Sequence, residues 1–160
     1  MFCNAVVPRK CPSRCSPVSK NLMNDTFPEP PVAPGISRKK IIRKRILLAE
    51  DEPGVREALA LLLSLDEHTV IQATDGEEAL QLFQAGQFDL VITDYLMPEM
   101  KGDELAIAIN RLAPAQPLIM ISAHAQTLAD SGNPLIGVDT VLGKPFKLEE
   151  LRQAIAEVLS

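Results

Sequence analysis

Four short apolar runs, separated by stretches with helical periodicity, constrain this chain more than any other feature. The first, Arg45-Ile-Leu-Leu-Ala-Glu50-Asp51, ends in two adjacent carboxylates. Phe88-Asp-Leu-Val-Ile-Thr-Asp94 ends in a third and is followed by Tyr95-Leu-Met-Pro98. Pro117-Leu-Ile-Met-Ile-Ser122 ends in a hydroxyl, and Val138-Asp-Thr-Val-Leu-Gly-Lys144 ends in an ammonium. Strand signals alternating with helix signals argue for a parallel sheet with helices on both faces. In an open sheet of that kind the carboxyl ends of the strands share one edge, and that edge is where ligands bind.

Three acids, a hydroxyl and a lysine would then meet in one place. Clustered carboxylates repel one another, and a hard divalent cation such as Mg²⁺ relieves the repulsion. A lysine and a hydroxyl beside a metal-bound acid are suited to holding a phosphoryl group. Taken singly, each residue has a plain structural explanation. An Asp after an apolar run caps a turn or helix, and Glu50-Asp51 could open a helix, where acids favour the dipole. Ser122 could be a cap, and Lys144-Pro145 a turn. Complementary chemistry at four strand ends is hard to obtain from capping alone.

The periodicity fills in the elements between. Strand one is expected over Ile46–Glu50, and Pro53 fits a first helical turn. Val55, Leu59, Leu62 and Leu63 then form a helical stripe to about Leu65. Strand two spans Thr69–Ala73. Asp75 caps a helix with Ala79, Leu80 and Phe83 facing inward, and Gly86 ends it. Strand three is Asp89–Thr93, and a loop through Pro98 and Gly102 leads to a helix ending before Pro114. Strand four is Leu118–Ser122. A helix from about Ala125 should be cut short by Gly132-Asn133-Pro134. Strand five is Thr140–Leu142, and Leu148, Leu151, Ile155 and Leu159 mark the last helix. Strands one, three and four are apolar throughout, the pattern of strands buried on both faces.

The chain divides near Lys44. Residues 1–44 hold seven of the 13 prolines and nine Lys/Arg against two acids, a net charge of +7, whereas residues 45–160 carry −12. The first segment lacks sustained periodicity and reads as a disordered, basic, proline-rich tail. It has no apolar core of signal-peptide type, and Met23 could serve as the start. Cys3, Cys11 and Cys15 all lie in it, without zinc spacing or a nearby histidine, and read as incidental thiols. The absence of cysteine from the folded part fits a reducing cytoplasm. The basic run from Arg38 to Lys44 reads as a solvated linker and not as a nucleic-acid or lipid contact. No apolar stretch approaches the roughly 20 residues of a bilayer span.

From Arg45 to Ser160 the chain resembles the response-regulator receiver domain, the phosphoacceptor module of two-component signalling. The resemblance rests on Leu-Leu-Ala-Glu50-Asp51-Glu, Val-Ile-Thr-Asp94-Tyr-Leu-Met-Pro98-Glu-Met-Lys-Gly102, Ile-Ser122-Ala123 and Gly-Lys144-Pro145-Phe146. It implies a doubly wound, flavodoxin-like five-stranded parallel sheet of order 2-1-3-4-5. It implies that Asp94 accepts a phosphoryl group from the phosphohistidine of a sensor histidine kinase or phosphotransfer protein. Mg²⁺ would be held by Asp51, Asp94 and the backbone carbonyl of Leu96, with Glu50 contacting it directly or through water. Lys144 would neutralise a phosphoryl oxygen, Ser122 would donate to the attached group, and Lys144-Pro145 would be cis. Such a module catalyses only its own phosphorylation and dephosphorylation, and signals to a downstream protein by contact.

Three features depart from the family pattern. Val141 stands where receivers usually carry an aromatic ring, the Gly132–Pro134 break shortens a helix commonly used for partner contacts, and Leu96 and His124 occupy places that tune loss of the phosphoryl group. His124 reads as a surface residue partly covering the site. With no output block after the last helix, the expected protein is a stand-alone regulator. The alternatives are a receiver fragment of a hybrid histidine kinase, or a degenerate receiver that only binds partners. A haloacid-dehalogenase-type phosphatase would need an acid at position 96, which is leucine.

Overall fold

A computed structural model describes residues 43–130 and 135–160. The readings made for the tail, its three cysteines and the Gly132–Pro134 break lie outside the described residues. Ten elements alternate in chain order: β1 (Arg45–Ala49), α1 (Pro53–Leu65), β2 (Thr69–Ala73), α2 (Gly76–Ala85), β3 (Leu90–Asp94), α3 (Gly102–Leu112), β4 (Leu118–Ser122), α4 (Ala125–Asp130), β5 (Thr140–Gly143) and α5 (Leu148–Val158). All strand pairs are parallel, in the order β2-β1-β3-β4-β5. This is the doubly wound arrangement that the resemblance implied.

Alternation along the strands explains why helices cover both faces. Ile46, Leu48, Leu90, Ile92, Ile119 and Ile121 point one way, into a core closed by Leu59 and Leu63 of α1 and Leu151 and Ile155 of α5. Leu47, Ala49, Val91 and Leu118 point the other way, against Ala79 of α2 and Leu105, Ala106 and Ile109 of α3. Burying one such aliphatic side chain contributes about 1.5–3 kcal/mol, so the central strands leave little freedom in register. β2 and β5, the two edges, are only partly buried.

The boundaries differ from the sequence expectation in small, explicable ways. β3 starts one residue later, at Leu90; Asp89 just before it is tied to Arg45 twice, its amide donating to the Arg45 carbonyl at 2.8 Å and its carboxylate accepting the Arg45 amide at 2.7 Å. The strand also ends one residue later, since Asp94 pairs with Ile121. Asp75 caps α2 by accepting the Glu78 amide at 2.8 Å. Gly86 stops that helix in an extended conformation, φ −139°, so no left-handed cap is involved. The Lys144-Pro145 peptide is cis.

Candidate functional site

The winding direction of the sheet reverses between β1 and β3. β1 connects outward to β2 on one side, and β3 leads on to β4 and β5 on the other, so the carboxyl ends of β1 and β3 open a crevice. Sequence order places acids at both lips. Glu50 follows the last residue of β1 and keeps the sheet geometry, its amide donating to the Ala73 carbonyl at 3.2 Å. Asp51 is exposed beside it, and Asp94 is the final residue of β3. One carboxylate oxygen from each of Glu50, Asp51 and Asp94 lies within 4.8 Å of the others.

Lys144 crosses from the neighbouring side of the sheet. Its amide donates to the Ser122 carbonyl at 2.8 Å, which ties the residue after β5 to the end of β4. From there Nζ reaches Glu50 Oε2 at 2.9 Å and Asp94 Oδ1 at 3.0 Å. Ser122 is buried, 1% exposed, and its Oγ accepts the His124 amide at 3.0 Å. The fold thus brings together Glu50, Asp51 and Asp94 with Lys144, and sets Ser122 at the adjoining strand end. His124 is exposed, as expected of a residue at the rim. Val141, half-buried in β5, pairs with Met120 and presents no ring.

The loop after Asp94 is held from both sides. The Tyr95 amide continues the sheet by donating to Ile121, and the Gly102 amide donates back to the Tyr95 carbonyl at 3.0 Å. A β-carbon at Gly102 would collide with the Asp94 carbonyl oxygen, so glycine is required where α3 begins against the strand end. Met97 is buried in the core, while the Leu96 side chain is 50% exposed. Glu99 takes a left-handed conformation, φ 62°, in the same loop, a geometry that non-glycine residues adopt at some cost.

Electrostatics single out the same residues. Glu50 is 2% exposed, and burial pushes its carboxyl above the usual carboxylate range; the Lys144 hydrogen bond pulls the other way, and the Asp94 charge adds to the rise. For Lys144 burial opposes the charge, but the hydrogen bonds and charges of Glu50 and Asp94 outweigh it and hold the ammonium above the ordinary lysine range. One ammonium therefore serves two carboxylates, with a third alongside. The oxygen-only donor set, its convergence and its excess negative charge fit a small divalent cation that keeps several of its waters.

Arg56 escaped the sequence reading. One turn into α1, its Nη1 donates to the carbonyls of Glu50 (2.8 Å) and Asp51 (3.2 Å). A basic residue five places after an acid pair was visible in the sequence, but its target, a pair of main-chain carbonyls, was not.

A doubly wound sheet with three acids converging at its switch point is a fold class with a place that could hold a metal ion. Residues 46–156 match the response regulator receiver domain, and the chain belongs to that family. It is 34% identical over 114 residues to the transcriptional regulatory protein GlrR of Escherichia coli, a match covering 71% of this chain and 26% of GlrR. The chain thus spans about a quarter of the length of that relative. Among solved structures it is similar to the response regulator TrrA of Thermotoga maritima in complex with Mg²⁺ and BeF (TM-score 0.67, 34% identity, 72% of this chain and 99% of that one). It is similar also to the receiver domain of a signal transduction histidine kinase from Syntrophus aciditrophicus (TM-score 0.65, 27% identity, 72% and 89%). The domain is accordingly a phosphoacceptor module of two-component signalling, not a classical enzyme. No helix among the described residues is long and apolar enough to cross a membrane.

Proposed function

We propose that Asp94 is the phosphoryl acceptor of this domain, with a phosphohistidine of a sensor histidine kinase or phosphotransfer protein as donor. The observation that carries this is the Lys144 ammonium at 2.9 and 3.0 Å from Glu50 and Asp94, beside the converging oxygens of Glu50, Asp51 and Asp94. An Asp94 oxygen attacks phosphorus as the P–N bond to the donor histidine breaks. The histidine nitrogen leaves with that electron pair, and a proton carried on the other ring nitrogen or taken from water makes the departing imidazole neutral. Lys144 stays within reach of Asp94 and offsets charge on a phosphoryl oxygen as it is transferred. Ser122, at the end of the adjacent strand, donates its hydroxyl hydrogen to the attached group. Asp51, Asp94 and the Leu96 carbonyl would hold Mg²⁺, with Glu50 in direct or water-mediated contact. The cation, when bound, supplies positive charge for the phosphoryl oxygens. The Mg²⁺ in the TrrA complex supports the same choice here.

The phosphorylated domain then signals by contact with a downstream protein in the cytoplasm. A second architecture, a receiver within a hybrid histidine kinase, is favoured by the likeness to the Syntrophus kinase receiver, and reading the open frame on both sides of this chain decides between them. The acceptor itself is tested with Mg²⁺ and a small phosphodonor, read by intact mass. The wild type should gain one phosphoryl group and Asp94→Asn none. A phosphorylated Asn variant would refute the assignment.

A further inference from the structure

We propose that Arg56 is a positioning residue for the cation site, acting through the main chain of the acid pair. Glu50 and Asp51 occupy the turn between β1 and α1. Their carbonyls lie outside the strand ladder and ahead of the first helical hydrogen bond, which runs from the Arg56 amide to Glu52 at 2.9 Å. The helix start holds this turn only lightly: the Glu52 amide hydrogen-bonds the Glu50 carboxylate, but Glu52 makes no side-chain cap and Pro53 has no amide to donate. Its two carbonyls are fastened from within the helix. The Arg56 Nη1 nitrogen carries two hydrogens, one for each carbonyl, at 2.8 and 3.2 Å.

Those two donations fix the orientation of successive peptide units. The Glu50 side chain is thereby directed inward to Lys144 and the Asp51 side chain outward, with both carboxylates still within 4.8 Å of each other and of Asp94. Carboxylates held in this way need no rearrangement to receive a cation, and preorganisation of ligands is a large part of site affinity. The inference rests on the reading of these acids as a Mg²⁺ site.

Charge alone makes the opposite demand. A guanidinium near three acids repels an incoming cation, so on Coulombic grounds its removal should tighten Mg²⁺ binding. The two effects of Arg56 therefore differ in sign, and positioning is the one we expect to prevail. The two variants separate them: Arg56→Lys keeps the charge and enough hydrogens for both carbonyls on a side chain one bond shorter, whereas Arg56→Gln loses the charge and falls short of both carbonyls.

The experiment is calorimetric titration of Mg²⁺ into the metal-free full chain at a temperature well below its melting point. Affinity should fall in the order wild type, Arg56→Lys, Arg56→Gln, with the Gln variant about 10-fold weaker, as for other residues that orient metal ligands. Amide exchange in the absence of metal should speed up at Glu50 in the Gln variant. Affinity in Arg56→Gln equal to or above that of the wild type would overturn the inference and leave the Mg²⁺ site standing. Should Arg56→Gln fail to fold, Arg56→Met, which removes both charge and donors, decides: affinity equal to or above that of the wild type overturns the inference and a loss supports it. A wild type that does not bind Mg²⁺ overturns both the inference and the site reading beneath it.

Discussion

The two edges of the sheet are both lined with acids, and they use them in opposite ways. At the amino-terminal edge, each of these acids has donors of its own. Asp89 accepts the Arg45 amide, Asp139 accepts the Leu118 amide at 2.8 Å, Asp66 takes both arms of Arg152, and Glu67 pairs with Arg43. At the carboxyl-terminal edge, Glu50, Asp51 and Asp94 converge on each other and share one lysine. The residue type is the same; the ratio of donors to acids differs. An acid with its own donor closes a strand or joins two helices. Acids left in excess of donors hold a charge imbalance that only something from outside can relieve. Acid content by itself is therefore uninformative about function, and the local donor count is what distinguishes the edges.

The sharpest way to break this contrast is to remove the shared lysine. Lys144→Met takes away the ammonium that offsets charge on the transferred group, so the phosphorylation rate should fall by about 10²–10³. Mg²⁺ affinity should move the other way and rise, because a cation already seated on Glu50 and Asp94 no longer competes. Rates from intact-mass time courses, together with a Mg²⁺ titration, check both halves. A variant that lost Mg²⁺ binding would show that Lys144 organises the acids and does not merely neutralise them.

Next in size is the ranking of the acid pair. Glu50 is committed to Lys144 at 2.9 Å, whereas Asp51 is exposed at the mouth of the crevice. Asp51→Asn should weaken Mg²⁺ by about 10-fold or more, the range in which disturbed metal ligation falls, and Glu50→Gln by less. A larger loss in Glu50→Gln would make the buried acid the principal ligand.

Much of this contrast was legible in the sequence, and what was not has a physical reason. Apolar runs such as Leu47 to Ala49 and Leu118 to Ile121 announce strands buried on both faces, because no polar side chain could face water along them. The polar residue ending each run then marks the edge. Strand order is invisible to such patterns: neighbours in the sheet are remote in sequence, and several orders would bury the same residues. The resemblance supplied that order. The meeting of Lys144 with the acids was expected from the strand ends, but which carboxylates it reaches, Glu50 across 94 positions among them, depends on that order. Arg56 was missed because its partners are backbone atoms, which leave no trace in residue identity. Asp89 and Asp139 stood in plain view beside strands three and five, but whether an acid at a strand start meets an amide depends on the register of the adjoining strand.

At the amino-terminal edge the expected effects are smaller and confined to stability. Leu118 is fully buried, so Asp139→Ala leaves its amide short of an acceptor. A stranded buried donor costs about 1–3 kcal/mol, to be read as a lowered denaturation midpoint with an unchanged slope. Mg²⁺ affinity and phosphoryl gain should stay at wild-type values. If either changed along with stability, the two edges would be coupled and the division between them would fail.

The smallest expected effect is at Asp66, just past α1, and its signature is the pH at which it disappears. Arg152 Nε and Nη2 meet the Asp66 carboxylate at 2.7 and 2.6 Å, and this hydrogen-bonded pairing holds the carboxyl below its ordinary value. In the unfolded chain an aspartate titrates at about 3.9. Between the two values the folded form stays ionised while the unfolded form takes up a proton, so the unfolded state binds more protons and stability falls with falling pH. The contribution is therefore complete at neutral pH, begins to decline near the unfolded value, and is gone once the pH passes below the folded one. Asp66→Asn keeps the size of the side chain and removes the titration. The melting-temperature difference between wild type and variant should be modest at neutral pH, because Arg152 is exposed to solvent and its charge is screened. It should shrink towards zero as the pH drops through the acid range. A difference of constant size down to low pH would mean that Asp66 stabilises the turn by shape and not by charge, and the matching of acids with their own donors at this edge would lose its electrostatic basis.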